Sequence, residues 1–375
     1  MENSLIPMRF VRIKAFQNLY TYTISQRVCK REVVEEIEKK FHFDLFLHKS
    51  DEKLRLDQEK EAAIALFQKM VGLDRFEDVE VGNGTIQQTV KQSFVRYKQL
   101  LLQEQQLLQA KFSQAKEQIY KGYGYTLLLL IEWYKLAQAD TVTPPVDLLK
   151  DQLAAHPLLK ALSDNTSWIN LLKIPSTSWN QEENKVKTWY AQFIKPLKPL
   201  LSSLKNRNDE TKILEYIIQS IIFKEPQIES FFSMMDLSWH EHKRVVKKML
   251  HRTFLILATK DITAFASFLG ELELEWTSKI AFYNYLFEQA IAHGNDYEEL
   301  IHKTAEKWKS DRMVLVDKII VKLALVEMLA SQQTPFKVSL NEYIELAKLY
   351  GTSKSGQFVN GILEGIYKGF KEDPL

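Results

Sequence analysis

Between Asp311 and Gly361 the chain spells three helices and two short connections, and this order constrains the fold more than any other segment. Asp311 to Ala330 is an apolar helix. Ser339 and Glu342 stand at capping-box spacing, in which side chains satisfy the free amides of a helix start. Behind them Leu340, Tyr343, Ile344 and Ala347 form an apolar stripe. Gly351 predicts the stop of that helix. Ser355 predicts the cap of a third, in which Phe358, Ile362 and Ile366 recur every four residues.

A helix is also predicted from Arg9 to Ser25. Phe10, Ile13, Phe16, Leu19, Tyr20 and Ile24 occupy much of its circumference and leave a narrow polar strip at Lys14, Asn18, Thr21 and Ser25. A helix apolar on most sides is surrounded by others, so the C-terminal helices are expected to cover it. Between the ends, helical patterns run from Val33 to Leu73 and from Ile86 to Tyr120. Gly122 and Gly124 interrupt before Tyr125–Ala139, and further helices follow, among them Trp239–Ala258. Gly82-Asn83-Gly84, Thr143-Pro144-Pro145 and Lys195 to Pro199 read as breaks. No stretch alternates in the manner of a strand, and 12 Gly and 10 Pro in 375 residues are too few for a turn-rich β architecture. The expected fold class is all-α.

Enzymatic signatures are missing. There is no GxxxxGK[ST] loop and no GxGxxG. His240-Glu241 begins like a metalloprotease helix, but position 244 is Arg244, and His240 and His242 point in different directions from a helix. They read as a solvated polar face. Cys29, the single cysteine, excludes an internal disulfide, suits a reducing cytoplasm, and lacks the His–acid pair a nucleophile needs. The apolar run Tyr125–Ile131 is far short of the ~20 residues of a membrane span. The expectation is a cytoplasmic, non-enzymatic protein with no cofactor, no metal and no membrane partner. A net charge of +2 sets no global field, so any nucleic-acid site must be a local patch.

Four segments carry a resemblance. Ile320–Met328 (IVKLALVEM), Val338–Lys348 (VSLNEYIELAK), Phe358–Leu363 (FVNGIL) and, at the other end, Arg9–Tyr20 (RFVRIKAFQNLY) together resemble the NusB family of transcription antitermination factors. The resemblance implies a helical bundle built from residues 1–27 and 276–375, with residues 28–275 as a large helical insertion. It also implies a factor that binds boxA-type RNA together with ribosomal protein NusE and acts, indirectly, on the RNA polymerase elongation complex in ribosomal RNA operons. The alternative is a helical scaffold that keeps the bundle and has lost RNA binding.

Residue by residue, the resemblance places RNA contacts at Arg9, Arg12 and Gln17, and at the turn and helix start holding Lys354, Ser355, Gln357 and Phe358. Met8 and Phe10 stand where many members have further arginines. Tyr20 and Asp317 match positions at the NusE contact. The residues themselves leave alternatives open. Arg9 and Arg12 fit a solvated helix start as well as a phosphate site. Phe358 fits core as well as a stacking platform, and Asp317 fits an internal ion pair as well as a partner contact. In the insertion, Lys243, Arg244, Lys247, Lys248, His251 and Arg252 form one basic stripe opposite Val245, Val246, Met249, Leu250 and Phe254. This stripe is either a solvated face or an additional RNA contact.

Overall fold

A computed structural model describes residues 4–44, 52–73, 84–140, 149–165, 167–171, 178–197, 207–259, 262–306, 313–331 and 334–372. Gly82 and Asn83, Thr143-Pro144-Pro145, Lys198 and Pro199, and Asp311 and Arg312 lie outside them. Every regular element among the described residues is helical, as the sequence predicts. The helices are α1 (Met8–Lys40), α2 (Glu52–Leu73), α3 (Gly84–Ala139), α4 (Leu149–Ala154), α5 (Pro157–Asp164), α6 (Ser167–Leu171), α7 (Glu183–Trp189), α8 (Arg207–Tyr216), α9 (Pro226–Met235) and α10 (Trp239–Thr259). They continue as α11 (Ile262–Ala292), α12 (Gly294–Glu306), α13 (Leu315–Leu325), α14 (Phe336–Tyr350) and α15 (Ser355–Glu372). The chain forms two compact units, one of residues 1–11 and 112–282, the other of residues 12–111 and 283–375.

The first unit is built on aromatic side chains. Trp133, Trp168, Trp239 and Trp276 are fully buried, each an anchor of large apolar area. Trp239 stacks on Phe232 at 4.6 Å and meets Phe223 edge-on at 5.4 Å. Its indole needs the space that Gly122 leaves, because a Cβ there would lie 2.6 Å from the ring carbon Cζ3. Gly122 therefore does not interrupt α3, as the sequence suggested; it lets another helix approach. Two buried polar pairs stand among these rings: the Tyr123 hydroxyl meets Thr253 Oγ1 at 2.6 Å, and His242 Nδ1 meets Asp236 Oδ2 at 2.7 Å. His242 is thus a core residue rather than part of a solvated face, while His240 is exposed. The opening of the chain belongs to this unit too. The backbone amide of Ile6 and the hydroxyl of Ser4 donate to Glu275 Oε1 at 3.0 Å and 2.5 Å, and Phe10 sits against Phe112, His242 and Trp276.

The second unit packs α12 to α15 with the body of α1, α2, the first half of α3 and the end of α11. The strip of polar residues along α1 is a seam here. Asn18 Nδ2 donates to the Leu108 carbonyl at 3.0 Å and to the Tyr283 hydroxyl at 2.6 Å, and Ser25 Oγ donates to Glu104 at 3.0 Å. Beyond α13 the helix widens into a π-helical turn, Val326–Ser331, which carries Glu327 inward. Its carboxylate is saturated. Arg12 Nε and Nη2 donate to Oε2 and Oε1 at 2.8 Å and 2.6 Å, Ser339 Oγ donates to Oε1 at 2.9 Å, and the Tyr343 hydroxyl donates to Oε2 at 2.9 Å. Arg12 is only 3% exposed and Glu327 fully buried. The Arg12–Glu342 pair, at 3.7 Å, completes the guanidinium's surroundings.

Two sequence expectations change at this point. Ser339 is not the cap of α14, which begins at Phe336 after Pro335; it lies a turn inside, fully buried, and its hydroxyl is spent on Glu327. Arg12 is not at an exposed helix start. Burial works against the ionised Glu327, but the hydrogen bonds and charge of Arg12, with those of Tyr343 and Ser339, outweigh it and hold the carboxyl below its ordinary pKa.

Removing one partner of a buried ion pair strands the other charge, at a cost of about 3–5 kcal/mol. Arg12→Ala is therefore expected to lower urea stability at pH 7 by that order. Because the folded pKa of Glu327 lies below the usual value of about 4.3, the wild-type network contributes fully above that pH and its contribution is lost as pH falls through the folded pKa. In Arg12→Ala the stranded carboxyl titrates upward instead, so the deficit should shrink as pH falls from 7 towards 5. A deficit below ~0.5 kcal/mol at pH 7, the range of ordinary surface substitutions, would place Arg12 outside the core.

Gly122→Ala gains about 1 kcal/mol of helix propensity but must displace the Trp239 ring, an overpacking cost of about 1–3 kcal/mol. The expected net is destabilisation, measured by urea unfolding, and its near-disappearance in a Trp239→Phe background.

Candidate nucleic-acid interface

The turn between α14 and α15 is held from beneath. Gly351 ends α14 with its amide on the Ala347 carbonyl, and a Cβ there would come 2.7 Å from that same oxygen. Ser355 opens α15, and its buried Oγ accepts the Thr352 amide at 2.8 Å while donating to Asp317. The Lys354 carbonyl then accepts the Phe358 amide at 3.0 Å, starting the helical ladder. A turn fixed at its base presents its outer side chains in a defined place. Lys354 and Gln357 are exposed, and Phe358 is half-buried.

The buried side of α15 is Val359, Ile362, Leu363 and Ile366. The four-residue repeat suggested Phe358 as the first member of this stripe, but Val359 takes that place. Phe358 is left at the edge, part packed and part open, where an aromatic face can meet a base. Lys354 forms no ion pair among the described residues.

On the neighbouring face, Gln17 Nε2 donates to the Tyr350 hydroxyl at 3.2 Å, and the Phe16 and Tyr350 rings lie 4.9 Å apart. Tyr350 is the last residue of α14, so the turn carrying Lys354 begins one residue beyond it. The structure thereby ties Gln17 to the end of α14 through Tyr350, a residue that sequence reasoning missed. The signal was available, since Tyr350 directly precedes Gly351, the predicted stop of its helix. Tyr20, 38% exposed, lies next along α1 with its ring 6.4 Å from that of Phe16.

Other expected contacts fall elsewhere. Arg12 is enclosed by the Glu327 network and offers no surface to a phosphate. Ser355 is likewise buried and serves the turn rather than a ligand. Asp317 is 5% exposed, under the start of α15; burial pushes its carboxyl above the ordinary range, against the hydrogen bond from Ser355. It is therefore an internal acid, not an exposed one. Arg9 is exposed, and it belongs to the first unit. The departure at Met8 and Phe10 has a physical reason: Phe10 is core of the first unit, and Met8 Sδ lies 3.2 Å from Lys279 Nζ. On α10, Arg244, Lys247, Lys248, His251 and Arg252 are exposed, whereas Lys243 is half-buried.

Among the described residues no helix is long and apolar enough to cross a membrane. A model of the NusB family matches residues 266–368. Over 88 residues the chain is 41% identical to the transcription antitermination protein NusB of Thermodesulfovibrio yellowstonii, covering 24% of this chain and 58% of that protein. The NusB of Bacillus velezensis is 44% identical over 86 residues, 23% of this chain and 66% of its own length. That of Thermotoga maritima is 45% identical over 71 residues, 19% and 50% respectively. The chain thus spans about half to two thirds of the length of these curated relatives. No solved structure matches it. Residues 266–368, which include α12 to α14, the turn after it, most of α15, and Glu327 with its partners Ser339 and Tyr343, match the NusB family within a long chain that has extra sequence ahead of the match.

Proposed function

We propose that this chain is a non-enzymatic transcription antitermination adaptor. Its second unit binds boxA-type single-stranded RNA together with ribosomal protein NusE, and so helps RNA polymerase elongate through ribosomal RNA operons in the cytoplasm. The observation that carries the reading is the pinned turn before α15. Within five residues the turn and the helix start carry an exposed lysine with no ion pair among the described residues, an exposed amide and a half-open aromatic ring, on a turn that follows Tyr350, the acceptor of a hydrogen bond from Gln17. Lys354 supplies a point charge for a phosphate, Gln357 a donor and acceptor for a base edge, and Phe358 a stacking face. The relatives named NusB support the same reading for the domain. Tyr20 offers a partner protein an exposed ring with a hydroxyl at its tip, the residue type enriched in interface anchors. RNA and protein sites on one unit raise each other's effective concentration, so two weak contacts suffice for a stable complex.

The Lys354→Gln, Phe358→Ala double variant tests the RNA contact. Loss of one stacked base is worth about 1–3 kcal/mol, or roughly 5- to 150-fold in affinity. Loss of one phosphate contact flattens the log–log salt dependence by about 0.7 on a single strand. Fluorescence anisotropy with a boxA-type strand should show both, with helix content by circular dichroism unchanged. Equal affinity in parent and variant, or no binding by either as for a scaffold that has lost RNA affinity, would overturn the reading.

For the protein contact, Tyr20→Ala should weaken binding to purified NusE by about 1 kcal/mol or more, the threshold of an energetically important interface residue, and leave binding of RNA alone unchanged. Calorimetric titration of NusE into both proteins decides it. Identical affinities would remove Tyr20 from the interface.

A further inference from the structure

We propose that the exposed face of α10 is a second contact surface for an RNA phosphate backbone, outside the NusB-matched segment. Half of α10 is locked in the core of the first unit: Trp239, Val246, Met249, Leu250 and Phe254 are all at most 1% exposed. The opposite face is therefore a rigid platform. The residues exposed on it from His240 to Arg252 are His240, Arg244, Lys247, Lys248, His251 and Arg252, without an acid or an apolar side chain among them.

Two acids at its edges are already engaged, and Glu241, on α10 itself, is half-buried. Glu229 takes Lys243 at 2.5 Å, and Glu215 takes His251 at 2.5 Å. Arg244, Lys247, Lys248 and Arg252 are left without an ion pair among the described residues. In a chain of net charge +2, four cations on one helix face with no ion pair among the described residues are a local concentration of charge. At 1.5 Å per residue they run along roughly 12 Å of helix.

The composition of the face decides what it suits. Protein interfaces centre on apolar and aromatic anchors and are depleted of charge at the core. This face has no such anchor and presents four cations in a row with two histidines, which suits a chain of phosphates read without base specificity. The phosphate contact follows from α10 alone. The choice of RNA over DNA rests on the function proposed above.

The test uses the full chain. The variant R244Q/K247Q/K248Q/R252Q is compared with K135Q/K160Q/K185Q/K187Q, which removes the same charge from the same unit at exposed lysines already paired to neighbouring acids. Anisotropy is read with boxA-type single strands of about 12 and about 40 nucleotides, the shorter within the range of one compact site. The α10 variant should lose on the order of tenfold affinity for the long strand at low salt, with a slope flatter by about 0.7 per contact, and little for the short one. The control variant should bind both like the parent. No loss on the long strand, as for a solvated or protein-docking face, would overturn the proposal, and so would equal losses on both lengths or an equal loss in the control. Stronger parent binding to duplex DNA of the longer length would overturn the assignment to RNA. Because Lys354 and Phe358 are intact in the α10 variant, loss confined to the long strand is separable from failure of the turn before α15.

Discussion

The second unit is organised around a carboxylate that has no water to turn to. Glu327 is drawn inside by a π-helical turn, and its two oxygens accept two donors from Arg12 on α1, one from Ser339 and one from Tyr343 on α14. Apolar side chains of the same volume would hold these helices together about as firmly. What the ions add is a single acceptable register. A slip of α14 by one residue would take Ser339 and Tyr343 off the carboxylate and leave a buried charge short of donors, a far larger cost than a misplaced methyl group. The register of α14 in turn sets Tyr350, the position of Gly351, and so the turn on which Lys354 and Phe358 are displayed.

The helical class, the terminal three-helix order and the stop at Gly351 were legible because each rests on local chemistry: periodicity, composition and backbone freedom. The π-helical turn was not, because nothing local separates Val326–Ser331 from an ordinary continuation of α13. The same gap explains Arg12 and Ser339. Both fit a local rule, a charged helix start and a capping box, and in both a distant glutamate outcompetes it. Asp317 follows the pattern with Ser355. Polar residues near helix ends are where local and tertiary demands compete, and here the tertiary demand wins repeatedly. The candidate site was half legible. Lys354, Gln357 and Phe358 came from the family resemblance, whereas the hydrogen bond of Gln17 to Tyr350 needed the fold.

The first unit accounts for the arginine-poor opening of α1. Phe10 is core there, and Ser4 and Ile6 are tied to Glu275, so the segment that a shorter protein could devote to a polyanion is committed to packing. An exposed cationic face on α10 is then a reasonable place for the missing charge to reappear. The two proposed surfaces differ in kind: the turn before α15 and the helix start carry a lysine, an amide and a half-open aromatic ring, while the exposed face of α10 is basic.

Photo-crosslinking of the full chain to a boxA-type strand substituted with 4-thiouridine, followed by peptide mapping, tests the central claim most directly. The account predicts adducts on the peptide spanning Tyr350 to Phe358, with Phe358 or Tyr350 as the modified residue, and none at Arg12. Efficient crosslinking at Arg12 with none between Tyr350 and Phe358 would contradict it, returning Arg12 to the surface and removing the turn from the RNA site.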